Sequence, residues 1–237
     1  MKSLNSLATF CLSTACLMSG VRAGTIRYQD DFERSAGDAG QPLALQNVGK
    51  SQTPWEATPN LVLGDGGGVK VTDQNAFIGR LALPPDLKEI TIEAKINPVP
   101  FAGKESDGSN WLSIGMGNSP LASPSFGGLF LLVRAGGFFS LMYNPESDDP
   151  RSSKAVAVKS GKIKTWNPDG LNEVKLVFNN ESGEVSAYAN GDEMLIDSIS
   201  LKEKNFSPEC SFAGFSGIWQ SSDARSVGAF NATIETK

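Results

Sequence analysis

Two glutamates four residues apart, Glu89 and Glu93, have the spacing most suggestive of acid–base chemistry in this chain. On a β-strand, side chains alternate between faces, so Glu89, Thr91 and Glu93 would share one face. Carboxylates held about 5 Å apart can act as nucleophile and acid/base in retaining glycoside hydrolysis. A solvated strand face with Lys88 and Lys95 as neighbours explains the same pattern, and we favour that interpretation.

The chain contains no histidine, and this removes most other routes to catalysis. Ser-His-Asp and Cys-His nucleophilic chemistry, His-ligated zinc and lyase reactions with a histidine base are excluded. A lyase reaction with a tyrosine base, such as Tyr143 or Tyr188, is compatible with the composition. Catalysis would therefore depend on the Glu89 and Glu93 pair or on a tyrosine.

Four tryptophans offer flat apolar rings on which the CH-rich faces of sugars can stack. Trp55 follows Pro54 in a polar loop, and Trp166 lies at a loop–strand junction. Trp111 and Trp219 begin or end apolar strands. We therefore expect Trp55 and Trp166 to be the exposed, ligand-binding rings, although packing in the core or at the rim would also suit them.

Aspartates in the predicted loops supply the hard oxygen ligands that calcium prefers. The candidate ligands are Asp65, Asp107, Asp148, Asp149 and Asp169. Their spacing does not match an EF-hand, and loop aspartates are common turn formers. The sequence therefore predicts no required cofactor, with calcium as the alternative.

Short antiparallel β-strands are the elements that must position these residues. Residues 171–201 read as three strands joined by two turns, and the second turn is Asn190-Gly191, in which both residues tolerate a positive φ. Apart from a short helical turn near Pro85-Asp86-Leu87, no segment suggests a helix. The pattern predicts an all-β protein with a single antiparallel β-sandwich domain.

The same alternation, interrupted by Gly, Pro, Asn, Asp and Ser, predicts the other strands. The candidate strands are Ile26–Gln29, Leu61–Leu63, Gly68–Val71, Phe77–Leu83, Glu89–Asn97, Trp111–Met116, Gly128–Arg134, Phe138–Tyr143, Ala155–Val158, Glu173–Phe178, Glu184–Ala189, Met194–Ile199, Ser211–Trp219 and Val227–Thr236. Gly128–Val133 and Phe138–Met142 are apolar on nearly both faces, so we expect them inside the sandwich. The first and last strands should pair and close the domain.

The first 23 residues have the features of a secretory signal peptide, with basic Lys2, an apolar stretch over Leu4–Leu17 and the cleavage site Val21-Arg22-Ala23. The folded domain is then expected over 24–237, in the periplasm or outside the cell. No apolar run reaches the roughly 20 residues that a membrane helix needs. Lipid attachment at Cys16 is an alternative, although Ser13 stands where such sites prefer leucine.

The formal net charge is −5, and loss of Lys2 and Arg22 with the leader would make it −7. Nucleic acids and anionic membranes attract clustered Lys and Arg, so this acidic balance argues against both as partners. Cys210 would be the one cysteine left after cleavage, so no internal disulfide is expected. We expect Cys210 to be a small buried hydrophobe.

Several segments together resemble the concanavalin A-like (laminin-G-like) jelly-roll superfamily. The resemblance is carried by Tyr28-Gln29-Asp30-Asp31-Phe32-Glu33, Ile90–Ile96, Trp111–Gly115, Tyr188-Ala189-Asn190-Gly191 and Phe230–Ile234. The superfamily contains lectins, carbohydrate-binding modules, adhesive modules, glycoside hydrolases and polysaccharide lyases, so it implies a fold more than an activity. Its retaining glycosidases carry Glu-x-Asp-x-Glu, but here Thr91 takes the central position. By order along the chain their catalytic strand corresponds to 128–134, which has no carboxylate.

Together these features predict a secreted, non-catalytic carbohydrate-binding or adhesive module whose partner is a polysaccharide or other glycan. One alternative is a polysaccharide-degrading enzyme of the same fold, either a glycoside hydrolase or a lyase. Another is a structural envelope protein with a protein partner, which a large apolar surface patch would indicate.

Overall fold

The computed structural model describes residues 23–101, 110–118, 128–144, 155–191, 193–202 and 210–237. Antiparallel strands dominate these residues, and they lie in two sheets. The strands are β1 (Thr25–Asp30), β2 (Glu56–Ala57), β3 (Leu61–Leu63), β4 (Val69–Val71), β5 (Phe77–Ala82), β6 (Leu87–Ile96), β7 (Trp111–Gly117), β8 (Leu129–Val133), β9 (Phe138–Tyr143), β10 (Val156–Lys162), β11 (Asn172–Asn179), β12 (Glu184–Ala189), β13 (Glu193–Ser200), β14 (Phe212–Ile218) and β15 (Val227–Thr236).

The two sheets form a β-sandwich, as the sequence predicts. The eight-stranded sheet has the order β13-β12-β11-β6-β15-β4-β3, with β1 also paired to β15. The seven-stranded sheet has the order β10-β9-β8-β7-β14-β5-β2. Strands β1 and β15 pair from Thr25 opposite Glu235 to Asp30 opposite Phe230, so the expected closure by the first and last strands is confirmed.

The three strands predicted over residues 171–201 are β11, β12 and β13, and they are neighbours in one sheet. Asn190 has a φ of 44° and Gly191 a φ of 90°, so the turn between β12 and β13 has the positive φ values that the sequence predicts. Inward residues of these strands, such as Leu176 and Ala187, are fully buried. Alternation of apolar and polar residues was therefore a reliable guide to this part of the sheet.

Apolar side chains from both sheets meet in one core. Its centre is an aromatic cluster in which the Trp55 ring lies 5.3 Å from Phe230, 5.4 Å from Phe215 and 5.8 Å from Phe32 between centroids. The edge-on contacts with Phe215 and Phe230 add to the free energy gained from burial. Because Phe32, Trp55, Phe215 and Phe230 come from distant segments, the cluster ties the start of the chain to its end.

Strand β8 is buried on both faces, as expected for an interior strand. Leu129, Leu131 and Val133 join the main core, whereas Phe130 and Leu132 form a second cluster with Ile78 on the outer face of the seven-stranded sheet. The outer face of this sheet is therefore apolar around β8 and β5, and these three side chains are shielded from solvent.

The predicted helical turn near Pro85 is wrong, because Pro85 and Asp86 form a turn and Leu87 begins β6. Short 3₁₀ helices occur instead at Ala36–Asp38, Leu43–Leu45 and Ala135–Gly137. Such single turns are too short to leave a periodic pattern in the sequence.

The predicted leader up to Arg22, which includes Cys16, lies outside the described residues. Within the described ranges, no helix has both the length and the apolar character required to cross a membrane.

Candidate ligand-binding groove

The outer face of the eight-stranded sheet is polar. A row of side chains crosses it from β1 to β12 through cross-strand neighbours: Gln29, Asn231, Glu93, Lys175 and Tyr188. These residues face outward because the residues that alternate with them on the same strands, such as Phe230 and Ala94, form the core.

A groove of about 560 Å³ lies on this polar face where β1, β15 and β6 run side by side. Arg27 and Gln29 from β1, Lys95 from β6 and Asn231 from β15 line its floor, and residues 48–51 line its wall. We call this feature the sheet groove. Its volume falls within the range of about 300–1,000 Å³ that is usual for small-ligand sites.

Asp30 fixes the wall of the sheet groove to its floor. Its buried carboxylate accepts hydrogen bonds from the backbone N–H of Phe32 (2.8 Å) and Gly49 (2.9 Å) and from Nε1 of Trp55 (2.8 Å). Arg34 donates to both oxygens, at 3.0 and 2.9 Å. A buried charge is tolerated when it is paired and hydrogen-bonded, so Asp30 acts as a structural anchor.

Gly49 allows the wall to approach β1 closely. Its φ is +51°, and a Cβ atom added there would lie 2.0 Å from the backbone oxygen of Gln29. Both the left-handed backbone and the close contact require glycine at this position. The depth of the sheet groove therefore depends on one residue that has no side chain.

Three cations line the sheet groove: Arg27, Lys50 and Lys95. All three are exposed, and among the described residues none of them takes part in an ion pair. Together with the amides of Gln29 and Asn231 they give the groove many hydrogen-bond donors that are available to a ligand.

The predicted exposure of Trp55 is wrong. Its side chain is only 2% exposed, and its indole nitrogen is committed to Asp30. The backbone explains this placement, because the N–H of Trp55 donates to Gln46 and the residue leads directly into β2. The polar neighbours in the sequence belong to the surface, whereas the ring itself turns into the aromatic core.

Trp166 is half-buried and packs against the main core. A Cβ atom at Gly137 would lie 2.5 Å from Cγ of Trp166, so the ring covers the backbone of this glycine. Its Nε1 is buried and has no hydrogen-bond partner among the described residues. These contacts indicate packing at the rim, and a role for Trp166 in ligand binding stays a prediction.

The loop that carries Trp166 is held by Glu193. The carboxylate accepts hydrogen bonds from the backbone N–H of Lys164 (2.7 Å) and of Thr165 (2.8 Å). Burial alone would raise the pKa of Glu193, but these bonds, the Thr165 hydroxyl and the charge of Lys164 outweigh it and lower the pKa below its ordinary value. Glu193 is therefore a structural carboxylate.

Glu89, Thr91 and Glu93 share the outer face of β6, which confirms the predicted alternation. Glu93 forms an ion pair with Lys175 (3.1 Å), whereas Glu89 accepts a hydrogen bond from Asn179 (3.1 Å). Each carboxylate therefore has its own partner on β11, and a catalytic role for the pair stays a prediction.

The two tyrosines considered as lyase bases lie far apart in the fold. Tyr143 is 8% exposed and belongs to the main core. Tyr188 faces outward on β12, where its ring lies 5.9 Å from Nζ of Lys175. Tyr188 therefore belongs to the polar outer face but does not line the sheet groove.

The described residues include only some of the predicted calcium ligands. No group of three or more His, Cys, Asp or Glu side chains in these parts of the chain could hold a metal ion. Asp65 lines a separate groove of about 360 Å³, and Asp169 is exposed. Asp107, Asp148 and Asp149 lie outside the described residues.

The groove residues were missed in the sequence because β1, the 48–51 segment, β6 and β15 bring them together from the whole length of the chain. The available signal was weak. Arg27 and Gln29 alternate with Tyr28 on the first predicted strand, and Lys95 is the last polar residue on the outer face of β6.

No protein-family model matches the sequence, and no characterised protein has a significantly similar sequence. Solved structures nevertheless match in shape. Lectin I from Ulex europaeus, in complex with the methyl glycoside of α-L-fucose, has a TM-score of 0.55 at 10% identity, covering 90% of this chain and 98% of the lectin. The fold is the concanavalin A-like jelly roll found in lectins.

Two further lectin structures have similar scores. The VIP36 exoplasmic/lumenal domain in its Ca²⁺/Man-bound form has a TM-score of 0.51 at 14% identity, covering 84% of this chain and 89% of that domain. The Emp46p carbohydrate recognition domain in its metal-free form has a TM-score of 0.51 at 16% identity, covering 83% and 95%. At these identities the similarity shows the fold and leaves the site to be argued from this chain's own residues.

Proposed function

We propose that this protein is a non-catalytic carbohydrate-binding module that acts outside the cytoplasm and binds glycan in the sheet groove. The observation that carries the proposal is the groove itself, an open site whose cations, Arg27, Lys50 and Lys95, form no ion pair among the described residues and whose amides, Gln29 and Asn231, face the same space. Sugars present many hydroxyls, and Arg, Asn and Gln side chains can each hydrogen-bond two of them.

The lectin fold supports this proposal. The Ulex europaeus lectin was solved with a fucoside, and VIP36 in a Ca²⁺/Man-bound form. Glu93 is paired with Lys175, Glu89 is hydrogen-bonded to Asn179, and Thr91 stands where the glycosidase motif has Asp, which together favour binding over hydrolysis. The predicted leader over residues 1–23 supports export, and the mass of the mature chain would test cleavage after Ala23.

Calcium is an alternative requirement for binding. VIP36 is known in Ca²⁺-bound and metal-free forms, whereas the described residues of this chain hold no group of three or more His, Cys, Asp or Glu side chains that could bind the ion. We propose binding that does not need calcium. A chelator should then leave the affinity unchanged, and a loss of binding that added calcium restores would assign a metal role to residues such as Asp107, Asp148 or Asp149.

The proposed site predicts that Gln29→Ala weakens glycan binding by about fivefold, because a net hydrogen bond contributes roughly 1 kcal/mol. Affinity electrophoresis through gels that contain neutral and acidic polysaccharides measures the change. Gln74→Ala is the matched control, since Gln74 is an exposed glutamine outside the groove. Equal mobility of the two variants in a gel that retards the wild type would place the site elsewhere.

A further inference from the structure

The charges of the sheet groove differ from those of the protein as a whole. The chain carries a formal net charge of −5, yet Arg27, Lys50 and Lys95 all line this one groove. They come from β1, from the 48–51 wall and from β6, so the fold collects them from three separate segments. The groove therefore has three cations against two carboxylates, Asp30 and Asp31, within a molecule that is acidic as a whole.

Two carboxylates also line the groove, and both have partners nearby. Asp30 forms an ion pair with Arg34 (2.9 Å) and is fully occupied by hydrogen bonds. Asp31 accepts a hydrogen bond from the backbone N–H of Glu33 (3.0 Å). Neither carboxylate neutralises the three cations through an ion pair.

Two more carboxylates near Lys95 need to be considered, Glu173 on the neighbouring strand β11 and Glu93 on β6 itself. Glu173 stands opposite Lys95 in the pairing of β11 with β6, but the two side chains form no ion pair. Glu93 is held by Lys175 on the side away from β1. Lys95 is therefore available to a ligand in the groove.

We propose that the ligand of the sheet groove is an anionic saccharide, recognised through carboxylate or sulfate groups by Arg27, Lys50 and Lys95. The inference rests on the proposed carbohydrate-binding function and narrows its ligand class. Arg27 presents a planar guanidinium that can bind a carboxylate or sulfate with two parallel hydrogen bonds. Lys50 and Lys95 act as point charges in the same groove, and Gln29 and Asn231 bind neighbouring hydroxyls.

The test compares each acidic polysaccharide with a neutral form of the same backbone. Polygalacturonate, alginate and hyaluronan are each paired with a carboxyl-reduced derivative, and dextran sulfate is paired with dextran. Affinity electrophoresis of the full protein should show retardation by an acidic member that is at least about tenfold stronger than by its neutral partner, as expected when a charge-assisted contact is lost. Retardation by dextran sulfate alone would identify sulfate as the recognised group, and retardation by a uronate would identify carboxylate.

Two groove variants, Arg27→Gln and Lys95→Gln, should each weaken binding to the acidic glycan about fivefold to tenfold. Lys159→Gln is the control, because Lys159 is exposed on β10 in the other sheet and its loss changes the net charge equally. Urea unfolding midpoints verify that the variants are folded. The wild-type affinity should also fall steeply between about 0.05 and 0.5 M salt, since exposed charges are screened.

The outcomes separate this inference from the proposed function. Equal binding to acidic and neutral partners, with no effect of Arg27→Gln or Lys95→Gln, would overturn the anionic ligand and leave carbohydrate binding intact. A loss in Lys159→Gln equal to that in the groove variants would show a general charge effect and overturn the assignment to the groove. Failure to bind any glycan, acidic or neutral, would overturn both proposals.

Discussion

Asp30 has the largest structural role of any single residue near the sheet groove. Its carboxylate is buried, yet it receives hydrogen bonds from the backbone at Phe32 and Gly49, from the Trp55 indole and from Arg34. The residue therefore joins the first strand, the groove wall and the aromatic core. Its neighbour Asp31 is exposed and accepts a local hydrogen bond from the backbone N–H of Glu33. The pair offers a direct comparison between an anchoring and a surface carboxylate.

Asp30→Asn should lower the free energy of unfolding by about 3 kcal/mol, because it leaves Arg34 without its charge partner and places an amide NH₂ among donors. Asp31→Asn should change it by less than about 0.5 kcal/mol. Urea denaturation followed by tryptophan fluorescence measures both. Similar stabilities for the two variants would contradict the anchoring role of Asp30.

Cys210 gives a pH-dependent prediction at the same scale. Burial raises the pKa of its thiol from 9.0 to about 12, because the thiolate is poorly solvated in the folded state. The folded protein thus holds its proton more tightly than the unfolded chain does. The stabilisation is complete below about pH 9 and is lost as the pH rises towards 12.

The stability of the wild type relative to Cys210→Ala should therefore decline between about pH 8 and pH 10.5, as linkage requires for a raised pKa. Urea unfolding of both proteins across this range gives the difference, and other groups that titrate cancel in it. A difference that does not vary with pH would mean that Cys210 is solvated.

At the scale of the elements, alternation and turn residues predicted most strands to within a few residues. The predicted strand Phe138–Tyr143 matches β9, and Glu184–Ala189 matches β12. Strand β2 has only two residues and shows no alternation, and the short helix Leu43–Leu45 gives no periodic signal. The region between β1 and β3 could not be predicted, because its conformation depends on hydrogen bonds to Asp30 and not on local preference.

The groove wall depends on one position in that region. Gly49→Ala should lower stability by about 3 kcal/mol, since a strained φ and a clash with Gln29 act together, and it should also weaken glycan binding. Gly40→Ala is the matched control, because Gly40 has a φ of +83° but open space around its Cβ position. It should lose only about 1 kcal/mol and retain binding.

Chemical unfolding and affinity electrophoresis of the two alanine variants test this prediction. If Gly49→Ala and Gly40→Ala behave alike, the close approach of residue 49 to β1 does not set the groove.

At the scale of the molecule, the jelly-roll architecture was predictable from residues that the fold uses structurally, such as Tyr188-Ala189-Asn190-Gly191. The groove was not, because Arg27, Lys50 and Asn231 become neighbours only when β1 pairs with β15 and the wall folds back on both. Trp55 was predicted to be exposed from its polar neighbours in the sequence. Packing against residues from distant parts of the chain buries its ring instead. The sequence therefore could not indicate the exposure of Trp55 or the position of the groove, because contacts between distant segments decide both.

The central claim, that glycan binds in the sheet groove, is tested most directly by hydrogen–deuterium exchange of the protein with and without the most strongly retarding polysaccharide. The account predicts slower exchange in peptides that cover residues 27–31, 48–51 and 229–231, with little change in β8 and β9. Protection confined to the seven-stranded sheet, or none at saturating glycan, would contradict it.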